Sequence, residues 1–159
     1  MSTPSRELLK QLEDDLSKER AILAAERAAG NRIAEVNCLR RMAVLERKRG
    51  ALHEALRRHR QALAVCKELG RKDFVSSCYV NLGAVYHEMG KHRLAERMFD
   101  RAVDIKAGLD DWSGLARCFQ NLGLLYEEFL GRPQDALRVY RWSQTARGRA
   151  SFSWASRLA

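Results

Sequence analysis

The chain has 159 residues, a formal net charge of +9, and is 46% hydrophobic and 31% charged. That length suits one domain with a real core, and that balance excludes a disordered chain. No run approaches the roughly 20 apolar residues of a membrane span, and the charged N-terminal stretch lacks a signal-peptide core, so the cytoplasm is expected, with the nucleus open by size. Only Pro4 and Pro133 break a sequence rich in Ala, Leu, Arg and Glu, which predicts helix nearly throughout.

In chain order, a first helix is expected over about residues 5–29, with Thr3 as cap and Pro4 at its first position. It reads as the second helix of an incomplete repeat. Helix pairs follow at about 32–49 with 52–69, 73–89 with 92–107, and 112–130 with 133–147. Gly30, Gly50, Gly70, Gly90 and Gly108 punctuate them, as short connections between antiparallel neighbours require. Asp73 and Asp111 are the expected N-caps, and Pro133 opens the last helix. In the tail, Phe152, Trp154 and Leu158 would either fold back as a partial cap or stay disordered.

The organising signal is an internal repeat. Asn81-Leu82-Gly83-Ala84-Val85-Tyr86 recurs as Asn121-Leu122-Gly123-Leu124-Leu125-Tyr126, a shift of 121 − 81 = 40. Downstream, Ala95-x-x-x-Phe99 is answered by Ala136-x-x-x-Tyr140, with one residue inserted near Gly131. A weaker copy lies at Leu39, Met42, Ala43, Gly50, Ala55, Ala62 and Val65, and Cys38, Cys78 and Cys118 keep the same spacing. Tyr79-x-x-Leu82-Gly83-x-x-Tyr86 and Phe119-x-x-Leu122-Gly123-x-x-Tyr126 resemble the tetratricopeptide repeat, whose signature is W-x-x-L-G-x-x-Y followed by A-x-x-x-F. The period exceeds the usual ~34 residues. The longer spacing is similar to the extended repeats of the Pins-type polarity adaptors and of kinesin light chains, and no motif singles out either.

The resemblance implies an all-α protein, an α-solenoid of about seven helices in antiparallel pairs wound as a right-handed superhelix. It divides the chain into an N-terminal helix (1–30), a degenerate repeat (31–70), two further repeats (71–110 and 111–147) and a C-terminal tail (148–159). Gly83 and Gly123, each costing about 1 kcal/mol within a helix, make sense where a paired helix approaches closely. Ala55, Ala62, Ala95 and Ala102 would be the matching small residues, with Tyr79, Tyr86, Phe99, Phe119, Tyr126 and Tyr140 filling the space between repeats.

No phosphate loop, nucleophile elbow or Cys-x-x-Cys pair is present, and the four histidines have no zinc-site spacing, so neither enzymatic activity nor a cofactor or metal is expected. The cysteines read as reduced packing residues, since equivalent points on packed helices lie farther apart than the ~7 Å limit for a disulfide.

In this repeat class the first helix of each pair lines the concave surface. By position, the partner-binding candidates are Asn37, Arg40, Arg41 and Arg47 in the first repeat, Ser77, Asn81, Ala84 and His87 in the second, and Arg117, Gln120, Asn121 and Leu124 in the third. They recur at helical spacing opposite the Leu/Tyr stripe. An amide donates to and accepts from the main chain of an extended peptide, and in the resembled families Asn at the position of Asn81 and Asn121 does so. The arginines favour carboxylates. The chaperone-tail clamp of some tetratricopeptide domains needs Lys and Asn where this chain has Arg40 and Val44.

The expected function is therefore a scaffold or adaptor that binds an extended or helical segment of a partner protein, polar or acidic in character, in the concave groove. Charge leaves two alternatives. Residues 1–72 hold 17 Lys/Arg against 10 Asp/Glu, and residues 132–159 hold 6 against 1, which would suit nucleic acid; residues 73–131 hold 6 against 9, which interrupts any continuous basic stripe. An open solenoid end would instead favour self-association.

Overall fold

Six connections punctuate the fold, and five of them turn on a left-handed glycine. The computed structural model describes the backbone of residues 5–156 and the side chains of residues 5–150. Among these residues the elements are α1 (Arg6–Ala28), α2 (Arg32–Lys48), α3 (Leu52–Glu68), α4 (Lys72–Glu88), α5 (His92–Gly108), α6 (Trp112–Glu128) and α7 (Pro133–Ser156), with no strand. Gly30, Gly50, Gly70, Gly90 and Gly131 adopt positive φ. At the fifth turn the left-handed residue is Asp110 (φ 53°), whereas Gly108 is the last residue of α5, not the turn expected of it. Asp tolerates this conformation better than most side chains. After each of α1 to α5 an amide reaches back five residues to an otherwise orphaned carbonyl, as from Asn31 to Glu26 (2.9 Å) and Asp111 to Lys106 (3.0 Å).

The helix starts follow the sequence only in part. Ser5 caps α1, its hydroxyl accepting from the Leu8 amide at 3.3 Å. The expected cap Thr3 and the expected first residue Pro4 lie outside the described residues. Asp111 caps α6 as expected, accepting from the Gly114 amide at 2.8 Å, and its other carboxylate oxygen accepts from buried Lys106 at 2.7 Å. Burial works against the Asp111 charge, but Lys106 and the Gly114 amide outweigh it and hold the carboxyl below its usual range. Asp73 is not a cap: α4 starts at Lys72, and the carboxylate is taken by Arg71 at 2.7 and 3.0 Å. At the other end α7 overruns its expected stop near residue 147 and continues to Ser156. The side chains of Phe152 and Trp154, and all of Leu158, lie outside the described residues.

The chain divides into two compact units, Met1–Phe74 and Val75–Ala159. In the first, α1 packs on α2 and α2 on α3. Leu12, Leu16 and Leu23 of α1 are buried, as are Val36, Leu39, Met42 and Ala43 of α2 and Ala55, Leu56, Ala62 and Val65 of α3. Three buried polar residues interrupt this core. Glu35 accepts from Arg27 (2.8 Å) and Arg32 (2.6 Å). Glu46 accepts from Arg58 at 3.3 Å; burial nevertheless raises its carboxyl, and its Oε2 has no partner. His59 stands forty residues before Phe99, in the slot that later repeats give to an aromatic ring. Burial, then the charges of Arg40 and Arg47, depress its imidazole to about 4.

In the second unit α6 packs against both α5 and α7. Leu82, Tyr86, Ala95, Phe99 and Ala102 are buried, and Leu122, Tyr126, Ala136 and Val139 follow suit in the last repeat. The repeat glycines have a different partner from the expected alanines. A Cβ on Gly83 would stand 2.7 Å from Cε1 of Phe99, and one on Gly123 would collide with the Tyr140 ring. The glycine clears space for an aromatic side chain of the paired helix. The first repeat obeys the same rule in reverse, with Ala43 at the glycine position and the smaller His59 at the ring position. Cys38, Cys66, Cys78 and Cys118 are thiols outside any disulfide and fully buried, and burial raises the Cys118 thiol to about 11, far from thiolate.

Two outcomes follow. Gly83→Ala should destabilise the chain by about 1–3 kcal/mol through overpacking, against the ~1 kcal/mol gain that propensity alone would give. A denaturation cycle with Phe99→Leu should show the double variant losing less than the sum of the single losses. For His59, the unfolded chain binds a proton below about pH 6.5 while the folded chain does not until about pH 4. Stability should therefore fall by roughly 2 kcal/mol between pH 7 and pH 5, and urea midpoints of His59→Leu should lack that share of the loss.

Candidate functional site

Because α2, α4 and α6 begin at Arg32, Lys72 and Trp112, equivalent residues sit at the same point of each first helix. One stripe of α2 carries Asn37, Arg41 and Val44; the same stripe carries Ser77, Asn81 and Ala84 on α4, and Arg117, Asn121 and Leu124 on α6. Beside it run Arg40 and Arg47 on α2, His87 on α4 and Gln120 on α6.

In the first unit this stripe is partly spent. Arg41 is exposed, yet its guanidinium fork grips the Glu19 carboxylate of α1 at 2.7 and 3.0 Å, and Nη2 lies 3.2 Å from Cys38 Sγ. The hydrogen bond to Glu19 raises the arginine further above its ordinary value. The α1 acid thus takes the place a partner's carboxylate would need. Asn37, Arg40 and Arg47 are half-buried, and the last two carry the charge that depresses His59.

In the second unit Ser77, Asn81, Ala84 and Asn121 are half-buried, while Arg117, Gln120 and Leu124 are exposed. The side chains of Asn81 and Asn121 make no hydrogen bond to any described residue, and neither amide holds an orphaned buried atom. His87 is engaged differently. Its ring meets Phe129 edge-on, with centroids 4.8 Å apart, and Phe129 stacks on His92 at 4.4 Å. This three-ring contact draws the C-terminal ends of α4 and α6 together at the start of α5.

Sequence reasoning missed His92 and Phe129, because neither occupies a signature position and their meeting depends on how the short connections fold. It also missed Arg132, which bonds Glu96 of α5 at 2.5 Å and Asp135 of α7 at 2.7 Å while lying 4.4 Å over the Tyr126 ring. Burial, then the charges of Asp100 and Glu96, raises the Tyr126 hydroxyl to about 12. Glu96, Asp100 and Asp104 share one stripe of α5, which localises much of the negative charge of this region. Among the described residues no group of three His, Cys, Asp or Glu is placed to hold a metal ion, and no helix is long and apolar enough to cross a membrane.

Comparison with known proteins agrees with this architecture. The family model of the tetratricopeptide repeat matches residues 33–107 and again 74–147. The crystal structure of BtubC (BKLC) from P. vanneervenii superposes with a TM-score of 0.76 at 22% identity, over 87% of this chain and 57% of that one. The chain therefore spans little more than half the length of that protein. Two crystal structures of MamA align over 86% and 89% of this chain and 93% and 94% of theirs, at 16% and 19% identity with TM-scores of 0.41 and 0.44. No curated protein matches the sequence. Repeats of this class generally mediate protein–protein interaction and are generally non-catalytic scaffolds. Since the matched stretches together run from residue 33 to residue 147, the chain belongs to the tetratricopeptide repeat family.

Proposed function

We propose that the chain is an adaptor that performs no chemistry and holds an extended, polar or acidic segment of a partner protein along the exposed stripes of its first helices. The observation that carries this reading is the pair Asn81 and Asn121. They stand at equivalent points of α4 and α6, half-buried and without a hydrogen bond to any described residue. Each amide offers two donors and an acceptor to a peptide main chain. Arg117 and Gln120, exposed beside Asn121, supply a cation and a second amide for the partner's side chains, and Leu124 an apolar contact. On α2 the equivalent positions hold Asn37, Arg40 and Arg47, and Arg41 is bonded to Glu19.

The geometry favours main-chain recognition over a carboxylate clamp. Arg41, the one guanidinium on the Asn81 and Asn121 row, already has its fork filled.

Selection from a random 12-residue peptide display library tests the reading. Among the peptides recovered on the wild type, those held along this stripe should bind Asn81→Ala/Asn121→Ala about 10–100-fold more weakly, as expected for losing two to four hydrogen bonds of ~0.5–1.5 kcal/mol each. The variant's helical circular dichroism and melting temperature should be unchanged. Undiminished binding of every recovered peptide would remove the stripe as the working surface.

A further inference from the structure

A second opening lies on the other side of α6. Val103 of α5, Trp112, Leu115 and Phe119 of α6, and Trp142 and Ala146 of α7 line a cavity of about 250 Å³ with apolar walls. Trp112, Leu115 and Phe119 recur at three- and four-residue steps on one stripe of α6. Asn121 comes nine residues after Trp112, about two and a half turns on, and so faces the opposite way. Leu115 and Ala146 form the buried floor, and Trp142 stands 48% exposed at the rim, its ring 5.5 Å from that of Phe119.

The same place in the preceding repeat has a different pair of residues. Arg101 stands where the last repeat has Trp142. Its guanidinium lies 5.6 Å over the Tyr79 ring, and its Nη1 reaches the Tyr79 hydroxyl at 3.4 Å. In the last repeat the aromatic pair Phe119 and Trp142 replaces that cation and phenol.

The rim is cationic. Beyond Asp135, α7 carries Arg138, Arg141, Arg147 and Arg149 and no Asp or Glu. Arg149 lies 4.8 Å over the Trp112 ring and Arg138 5.6 Å over the Trp142 ring. Arg138 also pairs with Asp135, while Arg141 and Arg149 form no ion pair with a described residue.

We infer that this cavity is a second docking site, taking one large apolar side chain of a protein partner whose flanking residues are acidic. The volume falls below the roughly 300–1,000 Å³ of small-molecule sites and suits a single buried anchor. The guanidiniums lie over the indole rings, and their outward edges offer forks to carboxylates beside the apolar hollow. Because the site uses the opposite stripe of α6, it stands apart from the Asn81 and Asn121 reading and does not depend on it.

The same 12-residue display library distinguishes the two. Selection on the wild type should yield a class with one aromatic or long aliphatic residue flanked by Asp and Glu. A synthetic member, followed by fluorescence anisotropy, should bind at least ten-fold more weakly to Trp142→Ala and to Arg138→Glu/Arg149→Glu, and equally well to Asn81→Ala/Asn121→Ala. The charge reversal is confined to exposed positions, so it reads the rim without disturbing the core. The inference is overturned if no such class appears or if its binding survives Trp142→Ala. It is also overturned if the class binds only after Phe152→Ala/Trp154→Ala, which would make the chain's own C-terminus the occupant. A dimer in sedimentation velocity that Trp142→Ala dissolves would assign the cavity to a second copy, and salt-sensitive capture of a single-stranded oligonucleotide lost in the same variant would assign it to nucleic acid.

Discussion

The contact on which each later repeat depends is an aromatic ring laid against a bare helix backbone. Phe99 lies where a Gly83 side chain would be, and Tyr140 does the same over Gly123. A glycine inside a helix gives up conformational entropy, and dispersion against the ring offsets that cost only if the two helices approach closely enough to exclude everything between them. The small residues Ala95, Ala102 and Ala136, all buried, belong to the same close approach. With helix spacing set by this contact, Leu82, Tyr86, Leu122 and Tyr126 fall into the core, and the opposite stripes of α4 and α6 turn outward.

The first repeat shows what happens when the contact is replaced. Ala43 removes the clearance, His59 replaces the ring, and Glu46 stands where the later copies have Tyr86 and Tyr126. The result is a core that carries polar groups and is held partly by ion pairs: Glu35 between Arg27 and Arg32, and Glu46 against Arg58. Such pairs seldom add net stability over apolar packing, though breaking one is costly. The same unit uses an acid of α1 to neutralise Arg41, so the residue that departs from the Asn row is also the one that is internally satisfied.

The last pair has two unlike faces. One carries Asn121 with the exposed Gln120 and Leu124; the other presents an aromatic-lined hollow with Arg138 and Arg149 over its indole rings. Their separation follows from the 3.6-residue turn of α6, which cannot place Asn121 and Phe119 on the same side.

Spacing along the chain establishes the repeat, its forty-residue period, the helices to within a few residues at most ends, and the stripes that carry Asn81 and Asn121. These are legible because they depend on spacing along one chain, and helical geometry converts spacing into position. It misjudged features whose cause lies in a neighbouring helix. Gly108 looked like a turn residue, but the backbone reverses at Asp110; Asp73 looked like a cap, but Arg71 holds it; the glycines seemed to face alanines, but they face rings. Packing between helices alone settles that Glu19 bonds Arg41, that His87 meets His92 and Phe129, and that Val103, Phe119 and Trp142 line one cavity. Each of these rests on atoms brought together from separate helices, and no periodicity in the chain records which side chains will meet.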